Sequence, residues 1–228
     1  LSAALIANFG WSHALVLLSA LMLLIPVLAI PLHGSARDAK MTSDMVDQTI
    51  GQALSEAMSH RSYLLLITGF FVCGFQVAFI TAHFPKYIND LGLSLNLAVW
   101  GIALIGLFNI VGSLASGVLG QKYSKPWLLS LLYIGRSIAT AAFLLLPPSP
   151  TTVIVYSIIM GLLWLSTVAP TNALVAIMFG TRHLGMLGGI VFLSHQIGSF
   201  LGVHFGGYLR DTTGSYDAVW WLGVALGI

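Results

Sequence analysis

Of the 228 residues, 57% are hydrophobic and only 7% are charged, whereas soluble domains carry roughly 25% charged residues. That balance excludes a soluble globular domain and reads as an all-α integral membrane protein. A net charge of +2 is too small to mark a nucleic-acid binder, and the single cysteine, Cys73, leaves no internal disulfide to build.

Apolar runs of about 20 residues cross a bilayer as helices, because only a helix satisfies its own backbone hydrogen bonds in lipid. Six runs read as full spans: Leu15–Leu32, Tyr63–Tyr87, Leu97–Gln121, Trp127–Leu146, Thr152–Phe179 and Leu184–Leu209. A seventh begins at Ala218 and stops at Ile228, too short to cross. The chain starts at Leu1 without methionine and without a basic n-region, so it reads as a fragment with no signal peptide. Pro147–Thr152 and Gly180–His183 are turn signals between spans.

Basic residues divide the loops into two alternating sets. Arg37, Lys40 and Arg61 follow the first span, Lys122 and Lys125 the third, and Arg182 the fifth, while the other loops hold only Lys86 and Arg210. The positive-inside rule therefore places the first set in the cytoplasm. Within the long loop 33–62, Val46, Ile50, Ala53, Leu54 and Ala57 recur at helical spacing behind Asp44 and Asp47. This predicts an amphipathic helix on the cytoplasmic surface, with the two acids favourably placed in its first turn.

Polar residues inside the spans are the candidates for function. Gln76 and His83 lie seven residues apart and share one face of the second span. Asn109 is the strongly polar residue in the middle of the third. Arg136 sits roughly 16 Å from each end of the fourth, at 1.5 Å per residue, where an arginine costs about 2.5 to 3.5 kcal/mol to insert. All seven acids fall in loops or at span ends. Three partners therefore remain open for Arg136: an anionic substrate, an acid elsewhere in a longer chain, or helix-end carbonyls. Trp164, Thr171 and Asn172 recur on the fifth span near Pro170, which removes a backbone donor and should kink it. On the sixth, His195 is followed by Gln196, and Ser199 lies one turn on; an imidazole there either packs, binds a carboxylate or carries a proton. Gly198, Gly202 and Gly206 repeat every fourth residue, as do Gly185 and Gly189, and leave a stripe where another helix approaches closely.

The turn GVLGQKYSKP, Gly117–Pro126, resembles the G-x-L-x-D-R-x-G-R-R loop signature of the major facilitator superfamily through Gly117, Leu119, Lys122 and Lys125, with Gln121 in place of the acid. The stretches Cys73–Ser94 and Gly180–Asp217, the latter ending in Asp211, Thr213, Gly214 and Tyr216, are similar to the monocarboxylate transporter and oxalate/formate antiporter branch. The resemblance implies a major facilitator fold. Residues 1–32 would be the end of helix five and helix six of the N-terminal bundle, 33–61 the central cytoplasmic loop, and 62–228 a six-helix C-terminal bundle with its last helix truncated.

The function implied is alternating-access transport of a small, monocarboxylate-like organic anion in the plasma (inner) membrane, by proton coupling or exchange, without a cofactor or metal. Gln76, His83, Asn109, Arg136, Trp164, Asn172 and His195 are the expected substrate-binding residues. Gly117, Leu119, Lys122 and Lys125 form the gating loop, and Gly198, Gly202 and Gly206 let helices pack and rock. The expected partners are the substrate, the lipid bilayer and the N-terminal half of the same chain. A membrane enzyme or histidine-ligated electron carrier, and a non-transporting sensor on the same fold, are the alternatives; His195 and His204, nine residues apart, point to opposite sides of one helix and would not share a metal.

Overall fold

The computed structural model describes residues 2–23 and 48–228, which fall into two compact units divided after Gln48. In the first unit, helix α1 (Ser2–Met22) is interrupted at Gly10, whose φ is 76°. The predicted first span begins inside α1. The rest of that span, and Asp44, Val46 and Asp47, lie outside the described residues.

The second unit is a helical bundle. It comprises α2 (Ile50–Ser59), α3 (Arg61–Asp90), α4 (Leu95–Lys122), α5 (Lys125–Leu145), α6 (Pro150–Leu163), α7 (Val168–Phe179), α8 (Leu184–Thr213) and α9 (Asp217–Leu226). Among the described residues, α3, α4, α5, the α6–α7 pair and α8 are each long and apolar enough to cross a bilayer. Their ends lie within a few residues of the spans expected from sequence, because local chemistry starts them where the apolar runs do. Ser94 accepts from Leu97 N at 3.3 Å and Ser149 from Thr152 N at 3.1 Å, each satisfying an orphan amide of a first turn. Pro126 and Pro150 occupy first-turn positions, where a missing N–H costs nothing. The amphipathic helix of the long loop is α2, but it starts at Ile50 and its first turn holds no acid, so Asp44 and Asp47 do not supply the first-turn charge expected of them. A reciprocal cap sets the start instead, with Thr49 N donating to Gln52 Oε1 at 2.9 Å and Gln52 N to Thr49 Oγ1 at 3.4 Å.

Two helix pairs dominate the packing, α3 with α8 and α4 with α6. Both are glycine-mediated. A β-carbon at Gly198 or Gly202 would collide with the carbonyl of Phe71 or Phe75, one at Gly206 with the His83 and Phe79 side chains, and one at Gly74 with the carbonyl of His195. Gly112 meets Leu162 and Gly161 meets Ile105 in the same way. Without a hydrophobic drive between helices in lipid, such backbone approach supplies the dispersion contacts that hold them. Gly185 and Gly189, which share the four-residue spacing, meet nothing within 4 Å and do not belong to this seam.

Two apolar cores result. One is aromatic, with Phe79, Phe84, Phe143, Tyr156 and Trp220, and includes a Phe143–Tyr156 stack at 4.2 Å. The other gathers Ala57, Tyr63, Leu66, Phe70, Leu129 and Leu187 around α2 and the starts of α3 and α5.

At the end of α3 the chain is clasped by charge. Asp90 receives Lys86 Nζ at 2.8 Å and both Nε and Nη2 of Arg210 at 3.0 and 2.9 Å, while the Arg210 guanidinium lies 5.7 Å above the Tyr216 ring. The partners are partly exposed, so Asp90→Asn is expected to cost less than about 1 kcal/mol. Thermal unfolding in detergent checks this; a loss several times larger would make the clasp a principal support of the α3–α8 pair.

Candidate functional site: a broken helix and its polar shell

The fifth predicted span is two half-helices. α6 ends at Leu163 and α7 starts at Val168, and with 14 and 12 residues neither reaches the roughly 30 Å of a hydrocarbon core alone. The break frees backbone groups at mid-span, where lipid offers them nothing. Three side chains from neighbouring helices take them up.

Arg136, on α5, is fully buried. Its Nε and Nη2 donate to the carbonyl of Leu163 at 3.0 and 2.8 Å, and Nη2 also donates to the carbonyl of Trp164. In an unbroken helix those two oxygens would accept from the amides of residues 167 and 168; here Val168 N turns to Leu165 O at 3.0 Å instead. The guanidinium reaches Thr167 Oγ1 at 3.4 Å and Cys73 Sγ at 3.2 Å and lies 5.5 Å from the Tyr133 ring. Among the described residues it forms no ion pair. Of the three partners left open by sequence, the contacts observed are those to helix-end carbonyls, where a cation also opposes the negative end of α6.

Asn109, on α4, holds the other strand of the break: its Oδ1 accepts from Leu165 N at 3.1 Å and from Ser113 Oγ at 3.3 Å. Leu165 N has lost its usual acceptor, Gly161 O, to Trp164 N. Ser116 donates to the carbonyl of Ser166. That oxygen is orphaned because its expected donor four residues on is Pro170, which has no N–H. The kink expected at Pro170 therefore lies upstream, at Trp164–Thr167, and Pro170 itself sits in the first turn of α7, where proline is tolerated.

The shell extends to α3 and α8. Cys73 Sγ lies 3.5 Å from Thr167 Oγ1, and Ser199 Oγ donates to Gly74 O at 3.3 Å. His195 Nδ1 is 3.3 Å from Gln196 Oε1 and 3.4 Å from Ser199 Oγ, and the imidazole is half-buried. Asn172, half-buried on α7, faces the α7–α8 contact beside Gly188. Trp164 contributes its carbonyl to Arg136, and its indole packs in the aromatic core.

Two candidates lie elsewhere. Gln76 Nε2 donates to Gly223 O at 2.7 Å and ties α3 to α9, leaving Oε1 buried without a partner among the described residues. His83 bridges α3 to α8, with Nε2 3.0 Å from Val203 O and Nδ1 3.3 Å from Tyr216 Oη. The carbonyl contact fixes Nε2 as the protonated nitrogen, so Nδ1 of the neutral ring accepts from the tyrosine. Lys122 and Lys125 flank the α4–α5 turn with Leu119 partly exposed, and Gly117 faces open space. Sequence reasoning missed Cys73, Ser116 and Thr167. Small polar residues in apolar runs were the available signal, but their partners are 50 to 94 residues distant.

A chain of apolar helices with one helix broken at mid-span and cross-braced by its neighbours has the architecture of a membrane transporter bundle, and comparison with known proteins agrees. Monocarboxylate transporter 13 of Rattus norvegicus is 26% identical over 223 residues, covering 94% of this chain and 49% of that protein. The uncharacterized MFS-type transporter YcxA of Bacillus subtilis (strain 168) is 27% identical over 219 residues, covering 91% of this chain and 52% of that protein. The chain thus spans about half the length of these relatives. The family model for the Major Facilitator Superfamily matches residues 1–228, so the chain belongs to that superfamily, a family of multi-pass membrane transporters rather than enzymes.

Proposed function

We propose that this chain forms part of an alternating-access pathway for a small organic anion, of the monocarboxylate class that the names of its mammalian relatives state for those proteins. The observation that carries the reading is the break at Trp164–Thr167. It places one full positive charge, the Arg136 guanidinium, between the ends of two half-helices, without a carboxylate ion pair among the described residues. Arg136, fully buried and engaged with carbonyls, acts as a positioning residue that sets the shape of the break. The half-buried groups around it, Asn109, Asn172 and His195, are the ones assigned to touch substrate. Gln76 and His83 act at the α3–α8–α9 junction, and Lys122 and Lys125 at the loop that faces the cytoplasm by the positive-inside rule. Proton coupling would run through His195, the half-buried titratable group of the shell; exchange would need none. The plasma (inner) membrane is the proposed location, and the remainder of the pathway is assigned to an N-terminal bundle like that of the relatives.

The test is uptake of labelled lactate, formate and oxalate into proteoliposomes containing the full-length protein that carries this chain. Saturable uptake of at least one is expected. His195→Asn should weaken it and flatten its dependence on an inward pH gradient. Failure to move any carboxylate under either gradient or exchange conditions would overturn the organic-anion reading.

A further inference from the structure

Helix α2 carries a wider apolar arc than the bundle covers. At 3.6 residues per turn, Ala53, Ala57, Ile50, Leu54 and Met58 follow one another around roughly 140° of its circumference, with Ser55, Ser59, Gln52 and Glu56 opposite. The alanine edge is closed: Ala53 and Ala57 are 3% and 0% exposed, and Ala57 packs into the core beside Tyr63, Leu66 and Leu187. The edge with the large side chains is open. Ile50, Leu54 and Met58 are 65%, 37% and 46% exposed. This is not a fraying segment, since the Thr49–Gln52 cap fixes its start and the His60 ring meets Phe179 edge-on at 5.6 Å just past its end.

Its surroundings say what meets that edge. Directly after α2, Leu64 and Leu65 begin the exposed apolar exterior of α3. The start of α5 lies alongside, because Ser62, Leu65, Pro126 and Leu129 line one groove. Tyr123 and Trp127 project there, 63% and 73% exposed, as aromatic side chains do at the level of lipid headgroups. Arg61 and Lys122 are exposed and Lys125 half-buried at the same end. We propose that α2 lies in the lipid–water interface at this end, with Ile50, Leu54 and Met58 in the acyl region, and that Arg61, Lys122 and Lys125 bind anionic phospholipid headgroups beside it. A short amphipathic helix with cationic neighbours binds such a surface through buried apolar area plus attraction to anionic lipid.

The test places single nitroxide labels at Leu54→Cys, Met58→Cys, Ser55→Cys and Ser59→Cys in the full-length protein. The bilayers are nanodiscs of phosphatidylcholine alone and of equal parts phosphatidylcholine and phosphatidylglycerol. Labels at 54 and 58 are expected to collide with oxygen and be shielded several-fold from a water-soluble nickel chelate, with the reverse at 55 and 59. They should sit deeper with phosphatidylglycerol, and the difference should vanish when Arg61, Lys122 and Lys125 are all replaced by glutamine. Nickel access at 54 equal to that at 55 would place α2 in water. Shielding from both reagents would show a protein partner on the edge, and equal depth in the two bilayers would remove the anionic headgroups. Each of these overturns the proposal.

Discussion

Arg136→Leu in the full-length protein is expected to abolish transport and to lower stability by several kcal/mol. The substitution removes the donors to Leu163 O and Trp164 O and leaves two buried carbonyls unpaired, each costing about 1 to 3 kcal/mol. Relief of the buried charge recovers part of this, because leucine costs lipid nothing. Arg136→Lys separates roles more finely. An ammonium keeps the charge but not the planar fork that spans two carbonyls, a hydroxyl and a thiol, so the break should lose its fixed shape while the potential at mid-membrane stays positive. A positioning role predicts a fall in maximal rate with little change in KM for the substrate. A residue in contact with substrate predicts the opposite split, with KM raised and the maximal rate largely kept. Steady-state uptake with wild type, Arg136→Lys and Arg136→Leu at matched incorporation decides between them.

Gly202→Val is expected to weaken assembly of the bundle by about 3 kcal/mol. Its first side-chain carbon would fall on the Phe75 carbonyl, an obstacle that cannot rotate away, so α3 and α8 must separate along the seam that also includes Gly74, Gly198 and Gly206. Overpacking typically costs 1 to 3 kcal/mol, and a backbone collision in the most extensive contact of the bundle belongs at the top of that range. Gly189→Ala, in open surroundings on the same helix, is the control and should be neutral or slightly stabilising, since alanine favours helix over glycine. Size-exclusion profiles and thermal unfolding in detergent read both. Normal behaviour of Gly202→Val would mean that α3 and α8 are not held at this distance in the bilayer.

The spans were legible because a bilayer imposes length and hydropathy together, which puts the ends of α3, α4, α5 and α8 within a few residues; caps and prolines such as Ser94 and Pro126 set the exact starts. The Gly198–Gly202–Gly206 stripe was legible for a related reason, since a fourfold glycine repeat has few other uses in lipid. The same spacing at Gly185 and Gly189 meets no neighbour within 4 Å among the described residues. The break was less legible: Trp164–Thr167 holds no glycine or proline, and the nearest recognised breaker is Pro170. What opens the helix is the set of groups waiting for its carbonyls and amide, Arg136, Asn109 and Ser116, and their convergence is tertiary. Periodicity put Gln76 and His83 on one face correctly, but it carries no information on whether that face meets a cavity, α8 or α9.

The order of synthesis gives the Arg136 contacts a consequence for biogenesis. The carbonyls that receive the guanidinium lie 27 and 28 residues further along the chain, so α5 leaves the ribosome before its partners exist. At about 5 to 20 residues per second, the arginine waits roughly one to six seconds, during which release into lipid carries its full insertion cost. That cost favours holding α5 beside the insertion machinery until α6 and the start of α7 have been made. The charge that hinders α5 alone then becomes the latch that joins it to the broken helix.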